Sequence, residues 1–311
     1  MIVTHTLASI ADLPTKLHLA MGVFDGVHIG HREVILRAVR EAKEQGHLSG
    51  VLTFDPFPIQ VLAPDRAPQR ILANIDHKRE LLAALGVDFM LVIPFDQEFA
   101  KYSAKGFLDD LTSSGHVTHI SIGEDWKFGR GREGSLSYLK EYCQQSKILL
   151  SATAPIMHEG ERISSTRIRQ AVRDGSLEAA NVMLGRPYSV FGQVIRGKQL
   201  GRTIGFPTAN IDTQNELLPP YGVYLVRSHL HGEPVYGMAN LGVRPSVDDG
   251  LAQTFEVHYF DFDQEIYEES VEVELLAYIR PEKKFENLDA LKQQIKDDCQ
   301  TGQSLIQNNQ F

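Results

Sequence analysis

Residues Gly22-Val23-Phe24-Asp25-Gly26-Val27-His28-Ile29-Gly30-His31 set two imidazoles three positions apart among three glycines. They stand where an aliphatic run ends and a helix-period segment begins. Such a turn suits a polyphosphate: glycines let the backbone come close, a helix N-terminus offers unpaired N–H groups and a favourable dipole, and imidazoles donate to developing negative charge. No protein nucleophile is then required. A second cluster, Ile163-Ser164-Ser165-Thr166-Arg167-Ile168-Arg169, places three hydroxyls before two cations at what reads as another helix start. Hydroxyls and N–H groups there take phosphate oxygens, and Arg169 neutralises leaving-group charge.

Gly201-Arg202-Thr203-Ile204-Gly205-Phe206-Pro207-Thr208-Ala209-Asn210 joins a glycine-containing approach to Thr208 and Asn210. Two residues apart, these share one face of an extended segment. A hydroxyl and an amide oxygen suit a magnesium ion that keeps several waters and is also held by nucleotide phosphates. Glu256, in Phe255-Glu256-Val257-His258-Tyr259, alternates with the apolar residues and shares its face with His258. An acid there can deprotonate a substrate hydroxyl, with His258 in a structural role.

Two strings imitate nucleotide fingerprints. Gly129-Arg130-Gly131-Arg132-Glu133-Gly134 fits the dinucleotide pattern but does not directly follow a strand, and it reads as a mobile basic loop. Gly192-Gln193-Val194-Ile195-Arg196-Gly197-Lys198 begins like a P-loop, yet Gln199 occupies the metal-binding hydroxyl position.

The elements that must position these residues fall into two rhythms. Through residue 154, the runs Leu17 to Val23, Gly50 to Phe54, Phe89 to Ile93, Val117 to Ile122 and Ile148 to Ala152 alternate with helix-period segments, which predicts a parallel α/β sheet. Val34, Ile35, Ala38, Val39 and Ala42 form one face of the first helix. A second helix near Asp76 to Leu85 buries Leu81, Leu82 and Leu85, and Ser103 is an N-cap for another. Beyond Gly185, the segments Val190 to Ile195, Gly222 to Arg227, Val235 to Leu241, Thr254 to Phe262 and Val271 to Ile279 are separated by turn residues, which predicts an antiparallel β-barrel. Leu288, Leu291 and Ile295 add an amphipathic terminal helix. The boundary is expected near Gly185 to Pro187, giving domains 1–185 and 186–311.

Composition narrows the function classes. The chain has 311 residues, 42% hydrophobic and 23% charged, with no low-complexity tract. A net charge of −9 repels a phosphodiester backbone, so small anionic substrates fit better than nucleic acid. Cys143 and Cys299 make neither a disulfide framework nor a zinc pattern, which suits a reducing compartment. Met1 to Leu19 lacks a basic segment followed by an apolar run, and no apolar stretch approaches membrane-spanning length. Cytoplasmic residence without membrane insertion is expected. Homo-oligomerisation stays open.

Together the His-x-Gly-His loop and the Ile-Ser-Ser-Thr-x-Ile-Arg segment resemble the nucleotidyltransferase superfamily. Class I aminoacyl-tRNA synthetases use a similar histidine loop, but no Lys-Met-Ser-Lys-Ser-like segment is present. Gly-Arg-Pro-Tyr at 185–188, Gly-Phe-Pro-Thr-Ala-Asn at 205–210, Pro-Tyr-Gly-Val-Tyr at 220–224, Asn-Leu-Gly-Val-Arg-Pro at 240–245 and the glutamate strand resemble riboflavin kinases. In this order, the motifs resemble the prokaryotic bifunctional riboflavin kinase/FAD synthetase family.

The resemblance implies an N-terminal Rossmann-like nucleotidyltransferase domain and a C-terminal kinase barrel, which make FMN from riboflavin and then FAD, with ATP and Mg2+. It implies that Gly22, Phe24, Asp25, His28, Gly30 and His31 bind ATP for adenylylation, with Ser164, Ser165, Thr166 and Arg169 completing the site. Asp125 would hold FMN or nucleotide, and Arg280 would contact flavin. In the kinase, Lys198, Gly201, Thr208 and Asn210 would bind ATP, Thr208 and Asn210 its metal, and Glu256 would be the base. Phe57 stands where the family usually has His, Trp126 where it has Phe and Ser246 where it has Thr; loss of the histidine would weaken adenylylation first. Two readings stay open beside this one: a nucleotidyltransferase for another phosphate ester, with the barrel only recognising substrate, and a non-catalytic flavin- or RNA-binding protein with degraded sites.

Overall fold

The structure, a computed structural model, describes residues 1–197, 201, 204–214, 216–245 and 251–309. Lys198 and Ser246 lie outside the described residues. The chain forms two compact units, Met1–Gln69 with Lys78–Ser165, and Arg70–His77 with Thr166–Phe311.

In the first unit the strands β1 (Ile2–Thr4), β2 (Leu17–Met21), β3 (Leu48–Asp55), β4 (Phe89–Pro94), β5 (Val117–Gly123) and β6 (Leu149–Thr153) make one sheet in the order β1-β4-β3-β2-β5-β6. Every pairing is parallel. All five residues of β2 are buried, as expected of a strand covered on both faces. The chain order reverses between β2 and β5, and in open α/β sheets ligands bind in the crevice at the carboxyl ends of such a strand pair.

Helix α1 (Ile29–Gln45) buries Val34, Ile35, Ala38 and Ala42, while Val39 is half-buried. After α2 (Pro58–Leu62), α3 (Ile75–Ala84) carries buried Leu81 and Leu82. Leu85, expected in the core, lies just past the end of α3 and is half-buried. Ser103 caps α4 (Ala104–Thr112), its Oγ accepting from Gly106 N at 3.1 Å. Helix α5 (Leu136–Ser146) and a two-residue hairpin pair, β7 (Met157–His158) and β8 (Glu161–Arg162), complete this part of the chain.

Helix α6 (Ser165–Arg173) crosses into the second unit and is followed there by α7 (Leu177–Leu184). Strands β9 (Ser189–Ile195), β10 (Ala209–Asp212), β11 (Gly222–Leu230), β12 (Glu233–Pro245), β13 (Leu251–Tyr259) and β14 (Ser270–Arg280) close an antiparallel barrel in the order β10-β13-β12-β11-β14-β9. Phe255, Val257 and Tyr259 are buried and Glu256 and His258 half-buried, the alternation expected of a strand with one core face.

The terminal helix α8 (Leu288–Gln307) packs through Cys299, Leu305 and Ile306 on Val223, Leu225, Met238 and Leu276. Gly302 makes the close approach, since a Cβ there would lie 2.7 Å from Met238 Sδ. Leu288 is exposed, against expectation, and Leu291 and Ile295 are half-buried. The contact stripe runs instead through Asp298, Cys299, Gly302, Leu305 and Ile306, where an acid and a glycine disguise the apolar period.

Residues 70–77 belong to this second unit through a buried polar network. Glu216, fully buried, accepts from Asn74 N at 2.8 Å, from His77 Nδ1 at 2.9 Å and from Phe191 N at 2.7 Å. The other ring nitrogen of His77 meets Glu272 at 3.2 Å, and Ser189 Oγ donates to the same carboxylate at 2.5 Å. Burial alone would lower the His77 pKa, but Glu216 first and Glu272 second outweigh it and raise it to about 9.

Candidate active sites

The first site is built where β2 runs into α1. Phe24 and Val27 hold left-handed backbone, at φ 52° and 42°, with Gly26 between them at 74°. This bends the chain sharply enough to bring His28 to the N-cap of α1, where its Nδ1 accepts from His31 N at 3.3 Å. That bond assigns the His28 proton to Nε2, leaving an N–H to donate elsewhere. The two imidazoles stack, centroids 3.5 Å apart and planes 19° apart. Gly22 lets the Phe24 ring pack on the backbone, since a Cβ there would meet the ring at 2.9 Å, and a Cβ at Gly30 would crowd His28 Cε1 at 3.2 Å.

Neither imidazole is charged near neutrality. Burial, then Arg162, lowers the His28 pKa to about 4, and burial, then His28, Lys78 and Arg162, holds His31 well below its ordinary value. Two stacked rings cannot both carry charge cheaply in a low dielectric. His31 Nδ1 is buried with no hydrogen-bond partner among the described residues.

A cavity of about 740 Å³ opens over this pair, lined at its base by Gly22, Phe24, His28, Gly30 and His31. Phe54, Phe57 and Trp126 give it apolar walls, and Arg66, Asp125, Lys127, Arg132 and Arg162 its charges. It sits at the carboxyl ends of β2 and β5, the expected crevice. Ser165 Oγ donates to Asp25 O at 3.0 Å, which ties the hydroxyl cluster to the histidine loop. Asp125 pairs with Arg162 at 2.6 Å, both about half exposed. Thr166 and Arg169 lie in the second unit on the first turns of α6, where Arg169 Nη2 donates to Thr166 Oγ1 at 3.3 Å.

The second site lies on the outer face of the barrel. Asn210 of β10 and Asn240 of β12 both stand directly opposite Glu256 of β13, so the three share one face of the sheet. Gly197 is packed against Asn210, since a Cβ there would meet its amide at 2.4 Å, and a Cβ at Gly201 would lie 3.3 Å from Thr208 Oγ1. The glycines thus line a narrow cradle around Thr208 and Asn210. His258 accounts for the adjoining turn: its Nδ1 bonds Pro207 O at 2.8 Å, and its ring meets Phe206 edge-on.

Comparison with known proteins decides what these two sites have in common. A family model described as FAD synthetase matches residues 11–167, and one described as riboflavin kinase matches residues 184–306. A bifunctional riboflavin kinase/FMN adenylyltransferase of Listeria monocytogenes is 40% identical over 91% of this chain and 90% of that protein. The chain belongs to that bifunctional family. Its counterpart in Bacillus subtilis is 36% identical over 96% of this chain and 95% of that one. The crystal structure of a protein described as a macrolide-efflux protein from Streptococcus pneumoniae superposes with a TM-score of 0.82, at 32% identity, covering 97% of this chain and 98% of that one. Among the described residues no helix is long and apolar enough to cross a membrane.

One residue of this site, Lys78, carried no signal in the sequence pattern. Lys78 of α3 is fully buried, its Nζ donating to Val23 O at 2.7 Å and to Thr53 Oγ1 at 3.2 Å beneath the histidine loop. Burial lowers its pKa to about 8 against the pull of Asp25 and Asp55, so it stays mainly charged at neutrality. A helical lysine beside a histidine gives no motif to find. The ring centroid of Phe57 lies 4.8 Å from Lys78 Nζ. A phenyl face accommodates that buried ammonium.

The segment Gly129–Gly134, read as a mobile basic loop, contributes to the cavity wall. Glu133 accepts from Ala104 N at 2.7 Å, Phe128 and Gly134 exchange backbone bonds, and Gly129, Gly131 and Arg132 line the cavity. On the barrel, Arg280 is engaged by Asp298, its Nε and Nη2 reaching the carboxylate at 2.8–3.1 Å.

Proposed function

We infer that this protein phosphorylates riboflavin to FMN with ATP and then adenylylates FMN with ATP to give FAD and pyrophosphate. The carrying observation is that one chain joins a stacked histidine pair at a helix N-terminus, under a cavity of about 740 Å³, to a glutamate registered against Asn210 on a barrel. We assign adenylyl transfer to residues 1–185 and phosphorylation to residues 186–311.

For adenylylation, an FMN phosphate oxygen attacks the α-phosphorus of ATP, the bond to the bridging oxygen breaks and pyrophosphate leaves. Positioning and charge stabilisation supply the catalysis. His28 and His31, held neutral by burial, donate N–H groups to the triphosphate; Gly22, Phe24, Asp25 and Gly30 shape the loop around it. Ser164, Ser165, Thr166 and Arg169 complete the nucleotide site, and Asp125 contacts the flavin nucleotide.

For phosphorylation, Glu256 accepts the proton of the ribityl hydroxyl, whose oxygen attacks the γ-phosphorus of ATP as ADP leaves. Lys198, Gly201, Thr208 and Asn210 hold the nucleotide, and Arg280 approaches the flavin. Thr208 and Asn210 fit Mg2+ by donor type: they are neutral oxygen donors, and the adjoining Gly197 and Gly201 keep side chains from crowding them. When bound, the ion offsets phosphate charge. Its partners are small molecules rather than nucleic acid, and Cys143 and Cys299, both free thiols, support a cytoplasmic setting.

Incubation with riboflavin, ATP and Mg2+ followed by chromatography of the flavins is the test. FMN followed by FAD is the expected result. FMN alone would overturn the assignment of the first site, and neither product would favour a nucleotidyltransferase acting on another phosphate ester.

A further inference from the structure

Away from both sites, the first unit buries a group of ligand atoms that the reactions do not use. His18 on β2 and His119 on β5 are direct register partners, and Glu41 on α1 reaches them from the covering helix. One donor atom from each lies within 4.8 Å of the others. His18 Nδ1, His119 Nδ1 and Glu41 Oε2 are all buried without a hydrogen-bond partner among the described residues. The His119 and Glu41 atoms approach to 3.1 Å, yet not in hydrogen-bond geometry. Three unpartnered acceptors or weak donors converging in this way are costly unless something shared satisfies them.

The remaining atoms of the same side chains are already engaged, in the pattern of an outer ligand shell. His18 Nε2 bonds His47 Nδ1 at 3.1 Å, and His119 Nε2 bonds Ser151 Oγ at 2.8 Å. Ser151 Oγ in turn donates to Glu41 Oε1 at 3.4 Å, which Arg37 Nε also holds at 3.2 Å. With protons on both Nε2 atoms, each Nδ1 presents a lone pair inward, as second-shell bonds arrange for metal-ligating histidines. Metal–donor bonds of about 2.0–2.1 Å in a tetrahedral site separate donors by about 3.4 Å, against 3.1 Å between His119 Nδ1 and Glu41 Oε2.

We propose that His18, Glu41 and His119 bind one divalent transition-metal ion of the zinc class, with water as the fourth ligand. Two imidazoles and one carboxylate suit Zn2+ or Co2+ and disfavour Mg2+, so the site is chemically distinct from the kinase's metal requirement. Glu41 lies ten residues beyond His31 on α1, about 15 Å along the helix. The ion is therefore structural: it clamps the C-terminal half of α1 to β2 and β5, while the other end of α1 carries the histidine loop.

The test is titration of chelator-dialysed full-length protein with Co2+ in excess Mg2+, read by its visible d–d absorption. One Co2+ per chain, displaced by equimolar Zn2+, is expected, with Zn2+ at a hundred times its dissociation constant raising Tm by about 5 °C. His119→Asn and the half-buried Glu41→Gln should each weaken Co2+ binding at least tenfold while FMN adenylylation persists. If His119→Asn does not fold, Glu41→Gln decides alone. Absence of Co2+ binding, unchanged affinity in the folded variants, or loss of binding in His28→Ala, which would move the ion to the histidine loop, would each overturn the site.

Discussion

Glu256 and Asn210 are direct cross-strand partners on β13 and β10, although 46 positions separate them in the chain. Their pairing puts a carboxylate and an amide side by side on the outer face of the barrel, next to the glycine cradle. Removing the carboxylate should therefore stop phosphorylation without disturbing the first unit. Glu256→Ala is expected to lower riboflavin phosphorylation about 10²–10⁴-fold, with FMN adenylylation within twofold of the parent when FMN is supplied. Chromatographic rates with each flavin check this, and equal loss of both activities would sink the two-site assignment.

The stacked histidines predict the reverse. His28→Ala or His31→Ala is expected to cut FAD formation about 10²–10³-fold and leave FMN formation intact. A lower rate with unchanged KM for ATP is the expected signature of donors that act mainly on charge developing during transfer.

Lys78 acts on the first site through Val23 and Thr53 rather than on substrate. Lys78→Met leaves the Val23 carbonyl with the Thr53 hydroxyl as its side-chain donor. It should destabilise the first unit by about 2 kcal/mol and reduce FAD formation while sparing FMN formation. Denaturant unfolding measured beside both activities checks it; full adenylylation in a destabilised variant would show that Lys78 supports only the fold.

The Glu216–His77–Glu272 network predicts a pH dependence of stability. The His77 pKa is raised from 6.5 to about 9, so its contribution is complete below pH 6.5 and is lost as pH rises through about 9. For Glu272, burial acts to raise the pKa, but His77 and Ser189 lower it from 4.5 to about 2. Its contribution is complete above pH 4.5 and lost as pH falls through about 2. The network is thus fully stabilising from about pH 4.5 to 6.5. Urea midpoints from pH 5 to 10 should fall on the alkaline side, and His77→Gln should flatten that fall; an unchanged slope would refute the assignment.

Much of the architecture was readable along the chain. Alternating aliphatic runs and helical periods marked the parallel sheet, turn-separated strands marked the barrel, and the histidine loop lay at the strand–helix junction that the motif required. These signals are local: side-chain period, capping and glycine placement are decided within a few residues of one another. The short β1 and the β10 strand carried too few residues for a period to emerge, and the α8 contact stripe was masked by Asp298 and Gly302.

Other features depended on contacts between residues far apart in the chain. Which residue faces Glu256 is set by strand register, and register follows from closing the whole barrel. Lys78 and His77 are adjacent on one helix, yet one supports the histidine loop and the other is held by Glu216 and Glu272. Their charges survive burial only because partners tens to nearly two hundred positions away satisfy them. The convergence of His18, Glu41 and His119 has the same origin, since parallel strands bring distant histidines into register and only the packing of α1 delivers the carboxylate. Local order in the chain specifies the elements and the motifs they carry; the pairing of buried polar groups is specified by the packed fold, because a low-dielectric interior rewards each such group only when its distant partner arrives.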